Sequence, residues 1–127
     1  MQREERGISA AELEVMRVLW SAGKPLNITD IRLGLEGTGW EASTIKTLVA
    51  RLVKKGELKQ EKREVYYYLP TVSREEYGSV EVRRLAEKVY GGGLTKLVAS
   101  FVEGGEFSES ELDELRAILD RAGEGKT

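Results

Sequence analysis

The chain has 127 residues, 40% of them hydrophobic and 33% charged, with a formal net charge of −2. That length and balance suit one small globular domain, or a small domain with a helical appendage, and exclude a disordered chain. Cysteine and histidine are both absent, which removes disulfides, thiolate and imidazole metal sites, Cys nucleophiles and the commonest general base; neither an enzyme nor a metal or cofactor site is expected.

The N-terminal MQREERG has no apolar segment of the signal-peptide kind. No run approaches the roughly 18 apolar residues of a membrane span, so a soluble, cytoplasmic protein is expected. Ser9 and Glu12 form a Ser-x-x-Glu capping box, and Leu13, Met16 and Trp20 share a stripe up to a stop at Gly23, which predicts a first helix. Lys24-Pro25-Leu26 reads as a short extended connector. Asn27 and Asp30 offer the start of a second helix through about Leu35, ended by Glu36-Gly37-Thr38-Gly39. Trp20 and Trp40 are expected to pack in the core rather than to stack on bases.

The next stretch, EASTIKTLVARLVKKG, predicts a third and more informative helix. Ile45, Leu48, Val49, Leu52 and Val53 recur with helical spacing and form its core face. Opposite lie Ser43, Lys46, Thr47, Ala50, Arg51 and Lys54, short hydroxyls and long cations without an acid. A face of that kind can enter a DNA major groove and approach phosphates and base edges. Residues 41–63 carry a balance of +4 inside a chain of −2, so positive charge is concentrated where a duplex would be met. Gly56 stops the helix. Leu58 and Gln60, then Val65, Tyr67 and Leu69, alternate around a charged tip at Glu61 to Glu64, which predicts a two-stranded wing. Lys62 and Arg63 at the tip are expected to meet the DNA backbone. Tyr66 and Tyr68 share the side of the strand opposite Val65, Tyr67 and Leu69; which side faces out is open.

From Thr71 onward the pattern is wholly helical. Ser73 and Glu76 form a second capping box, followed by Val82, Leu85, Ala86 and Val89; Leu94, Leu97, Val98 and Phe101 repeat the spacing. After a third box at Ser108 and Glu111 come Leu112, Leu115, Leu119 and Ala122. Gly91-Gly92-Gly93 and Gly104-Gly105 separate the three helices. So short a segment cannot bury three apolar faces alone, which predicts a homodimer through Leu85, Val89, Leu94, Leu97, Val98, Phe101, Leu112, Leu115 and Leu119. The fold class expected is therefore mainly α with a small two-stranded β wing: a winged helix-turn-helix over residues 1–71 and a helical dimerisation domain over 72–127.

ISAAELEVMRVLW, WEASTIKTLVARLVKKG, KVYGGGLTKLVASFVE and SELDELRAIL resemble the penicillinase-repressor family of BlaI and MecI, with copper-responsive CopY as a relative. The likeness spans residues 8–121. It implies a dimeric repressor that sits on pseudo-palindromic double-stranded operators and blocks transcription, with control of a beta-lactam-type or stress response. By motif position, Ser43, Thr44, Lys46, Thr47 and Arg51 would read or clamp DNA, with Arg51 and Lys54 as phosphate or guanine partners. Relatives often carry Lys where this chain has Ser43. The resemblance also implies inactivation by a sensor-linked protease, the matching bond being Ser100–Phe101, although Ser replaces the usual Asn and Phe101 has a sufficient role in the core. Thiolate copper sensing is excluded by the lack of cysteine. A winged-helix module that binds proteins, not DNA, is the alternative.

Overall fold

The computed structural model describes residues 7–125. Within them run α1 (Ala10–Ala22), β1 (Leu26–Asn27), α2 (Ile28–Gly34), a 3-10 turn (Glu36–Thr38), α3 (Ala42–Lys54), β2 (Leu58–Lys62), β3 (Tyr66–Pro70), α4 (Arg74–Tyr90), α5 (Leu94–Glu103) and α6 (Glu109–Gly125). The signal-peptide reading concerns Met1 to Arg6 and lies outside the described residues. Among the described residues no helix is long and apolar enough to cross a membrane. The chain falls into two compact units, Met1–Gly78 and Ser79–Thr127, divided within α4.

In the first unit local signals set the helix ends. Glu12 N donates to Ser9 Oγ at 3.1 Å and Ser9 N to Glu12 Oε1 at 2.9 Å, closing the capping box. Gly23, at φ 67°, takes the left-handed conformation that ends α1. Asp30 N donates to Asn27 Oδ1 at 2.8 Å and starts α2. The three helices then bury one core: Val15, Met16 and Leu19 from α1, Ile31 and Leu35 around α2, and Ile45, Leu48, Val49 and Leu52 from α3, with Leu26 and Leu58 from the sheet. Each such side chain stabilises the fold by about 1.5–3 kcal/mol relative to exposure. Trp20 and Trp40 pack against this cluster, and Trp20 Nε1 donates to Val72 O at 2.9 Å.

The buried face of α1 differs from the expected stripe. It is Glu12, Val15, Met16 and Leu19, while Leu13 and Trp20 are only half-buried. The segment is apolar around much of its circumference, so two stripes with the same spacing compete and packing against α3 selects between them.

The sheet has the order β1-β3-β2 and is antiparallel throughout. The connector around Leu26 thus supplies a third strand, with Leu26 paired to Tyr68 and Asn27 to Tyr67. Lys62 pairs with Tyr66, and Arg63 N donates to Val65 O at 3.0 Å across the turn. Val65 therefore sits in the turn and not in β3, and is 54% exposed.

The second unit repeats the capping logic. Ser108 N donates to Glu111 Oε1 and Glu111 N to Ser108 Oγ at the head of α6. Gly91 and Gly92 take φ of 70° and 113° between α4 and α5, and Gly105 takes 75° between α5 and α6. Of the stripe Val82, Leu85, Ala86 and Val89, only Ala86 is buried. Phe101, expected in the core, is exposed and meets Phe107 edge-on at 6.3 Å.

Candidate nucleic-acid interface

The site is a helix face, and the core face builds it. With Ile45, Leu48, Val49 and Leu52 buried, the remaining positions are turned outward. Ser43, Thr44, Lys46, Thr47, Ala50, Arg51 and Lys54 are all exposed. At 13 residues and about 1.5 Å per residue, α3 is long enough to lie along a major groove about 12 Å wide. Thr47 Oγ1 donates to Ser43 O at 2.9 Å, which fixes the hydroxyl rotamer and leaves its oxygen as an outward acceptor. Arg51 and Lys54 stand in the last turn, where cations also complement the helix dipole. Glu41 opens the helix without a side-chain cap.

The wing adds two cations with different freedom. Lys62 Nζ stands 5.1 Å from the Tyr66 ring centroid. Arg63 lies 4.6 Å over the Tyr67 ring and pairs with Glu61 at 3.2 Å, so its guanidinium is held along the wing rather than free in solvent. Both side chains are exposed. The open question about the tyrosines is resolved: Tyr68 packs against the core while Tyr66 is exposed. Burial, with a smaller contribution from Tyr66, pushes the Tyr68 phenol above its ordinary 10.0.

One cation of the basic run does not join this face. Lys55 turns inward to Glu12 at 2.6 Å. Sequence reading missed this, although position 55 continues the helical spacing of Leu48 and Leu52, and Glu12 that of Val15, Met16 and Leu19. Glu57 is likewise buried, and nothing in its local pattern marks it.

The residues expected to pair with a second copy lie in the second unit. Leu94, Leu97, Leu112 and Leu115 are half-buried within the chain, whereas Leu85, Val89, Val98, Phe101 and Leu119 are exposed. Ser100 and Phe101 are inside α5. Gly104 N donates to Ser100 O at 3.0 Å, and the Tyr90 hydroxyl donates to Ser100 Oγ at 2.9 Å.

The family described as penicillinase repressor matches residues 8–121. The chain belongs to the penicillinase-repressor family. The penicillinase repressor of Bacillus licheniformis is 36% identical over 115 residues, covering 89% of each chain. The methicillin resistance regulatory protein MecI of Staphylococcus aureus strain N315 is 34% identical over 125 residues, 95% of this chain and 99% of that one. Among solved structures, the transcriptional regulator Tm0710 from Thermotoga maritima has a TM-score of 0.52 at 19% identity over 98% of this chain and 80% of its own, a likeness of fold. The resemblance drawn from the motifs of this repressor-family chain therefore holds over the same residues, 8–121.

Proposed function

We infer that the chain is a DNA-binding transcriptional repressor that lays α3 in the major groove and its wing against the flanking backbone. The observation that carries this reading is the exposed, acid-free face of α3, seated on a packed core and backed by membership of a family of repressors rather than enzymes. Ser43, Thr44, Lys46 and Thr47 approach base edges, Arg51 and Lys54 take phosphate or guanine, and Lys62 and Arg63 follow the wing-side backbone.

The repressor acts in the cytoplasm as a homodimer through the second unit. The support is the number of large apolar side chains that unit leaves exposed, Val89 at 58% and Leu119 at 61% among them, which a second copy would remove from water. Two reading helices related by a two-fold axis call for a pseudo-palindromic operator with half-sites about one helical turn apart. Release follows a cut at Ser100–Phe101 by a sensor-linked protease. That bond is helical, so the last turn of α5 has to open before cleavage.

Selection of the full chain on a random duplex library at about 150 mM salt tests the reading. The expected outcome is an enriched palindrome whose affinity falls steeply with salt, since each neutralised phosphate releases counterions. Absence of any enriched duplex would instead indicate a winged-helix module for proteins. A Ser100–Phe101 cut is checked separately by the mass of the repressor recovered from cells before and after a beta-lactam challenge; an unchanged mass removes proteolysis from the scheme.

A further inference from the structure

A pair of opposite charges, its carboxylate buried and its ammonium half-buried, lies behind the reading helix. Lys55 directly follows α3 and turns inward, while its neighbour Lys54 stays in solvent. Lys55 Nζ lies 2.6 Å from Glu12 Oε1 and also donates to Gly7 O at 3.1 Å. Glu12 is 2% exposed, and the same Oε1 accepts from Ser9 N at 2.9 Å. One carboxylate thus joins the cap of α1 to the end of α3.

Buried pairs are a poor source of stability, because desolvation offsets the attraction and apolar residues of similar volume do as well or better. They are, however, directional: a hydrogen bond weakens steeply as its angle or distance drifts. The apolar contacts of Ile45, Leu48, Val49 and Leu52 set which face of α3 is buried, but such contacts accommodate small shifts of volume and shape. Glu41, at the other end of α3, makes no side-chain cap bond. Reading base edges needs side chains held to within about 0.5 Å.

We propose that the Glu12–Lys55 tie is a positioning device: it sets the placement of the reading helix along and about its axis, and so governs discrimination between DNA sequences more than it governs the stability of the fold. The proposal rests on the operator-binding reading, and its test keeps the two apart.

The test uses the full chain as wild type, as Glu12→Gln with Lys55→Met, and as Lys55→Arg. Gln retains the acceptor for Ser9 N, Met replaces the lysine stem, and no unpaired charge is left inside. The probes are the duplex enriched by the wild-type chain and a scrambled duplex of the same length. The double variant is expected to melt close to wild type and to bind the scrambled duplex equally well, since the two changes together leave the net charge as it was and Lys55 is mostly covered beside Glu12. Its preference for the enriched duplex is expected to fall about tenfold, the worth of one good base contact. Lys55→Arg, which keeps a cation and donors for Glu12, retains most of the preference. A wild-type preference in the folded double variant overturns the proposal, and so does equal weakening on both duplexes. If the double variant does not melt cooperatively, Glu12→Gln alone is read by the same ratio. A wild-type chain that prefers no duplex overturns the operator reading itself.

Discussion

Glu12 feels two opposing influences on its proton. Burial raises its pKa, but the hydrogen bonds from Lys55 and Ser9 and the Lys55 charge outweigh it, so the carboxyl is held below its ordinary 4.5. A carboxyl depressed on folding contributes stability that is whole above the unfolded value and is lost as pH falls through the folded one. Relative to the Glu12→Gln variant, the wild-type urea midpoint is therefore expected to be level above pH 4.5 and to drop below it. A difference between the two that does not change with pH, or that grows in acid, refutes this assignment. Gly34 poses a steric constraint instead. A Cβ there would stand 2.6 Å from Val18 Cγ1 and 3.2 Å from Cγ2, and valine is stiff about χ1, so α1 and α2 must separate to admit it. Gly34→Ala is expected to destabilise by about 1–3 kcal/mol in denaturant unfolding, with part of the loss recovered when Val18→Ala is added. Additive losses in the double variant would place the strain elsewhere.

At the scale of elements, legibility followed the range of the interaction that makes each one. The three capping boxes at Ser9, Ser73 and Ser108 all form as their spacing predicted, because both partners lie within one turn. The core face of α3 was equally legible, since its polar and apolar positions separate cleanly around the helix. β1 was not: two residues carry no period, and its pairing partner Tyr68 is 42 positions away. The inward turn of Lys55 was hidden for the same reason, its partner Glu12 being 43 positions distant. The reading helix itself invites a comparison within a single turn. Arg51 has a planar fork that can engage guanine, whereas Lys54 is a point charge at the helix end. Arg51→Ala is expected to cost about 1–3 kcal/mol on the enriched duplex and to relax one operator position. Lys54→Ala should weaken all duplexes alike and lower the salt slope by about 1. Uniform losses from both changes, measured by titration against matched and mismatched duplexes, would argue that α3 clamps DNA without reading it.

For the whole molecule, the distribution of charge and apolar surface divides the work between the two units. Residues 41–63 carry a balance of +4 and residues 79–127 one of −3, so positive charge is concentrated on α3 and the wing while the second unit is acidic. Most of the exposed large apolar side chains among the described residues also lie in the second unit, among them Val82, Leu85, Val89, Val98, Phe101, Ile118 and Leu119. Exposed in the single chain, Leu119 contributes little to the fold of that chain. If a second copy covers it, a carboxylate there would be desolvated without a partner, which is costly. Leu119→Glu is thus expected to leave the melting of the DNA-binding unit nearly unchanged while shifting sedimentation at micromolar concentration from twice the chain mass to the chain mass. Operator affinity should fall with it, on the order of 10²-fold or more, because the second half-site is then no longer engaged as an intramolecular event. Asp120→Ala, a polar neighbour on the same helix, serves as the control. A Leu119→Glu variant that sediments and binds the palindrome like the wild type would show that two-fold recognition, if present, is assembled through another surface.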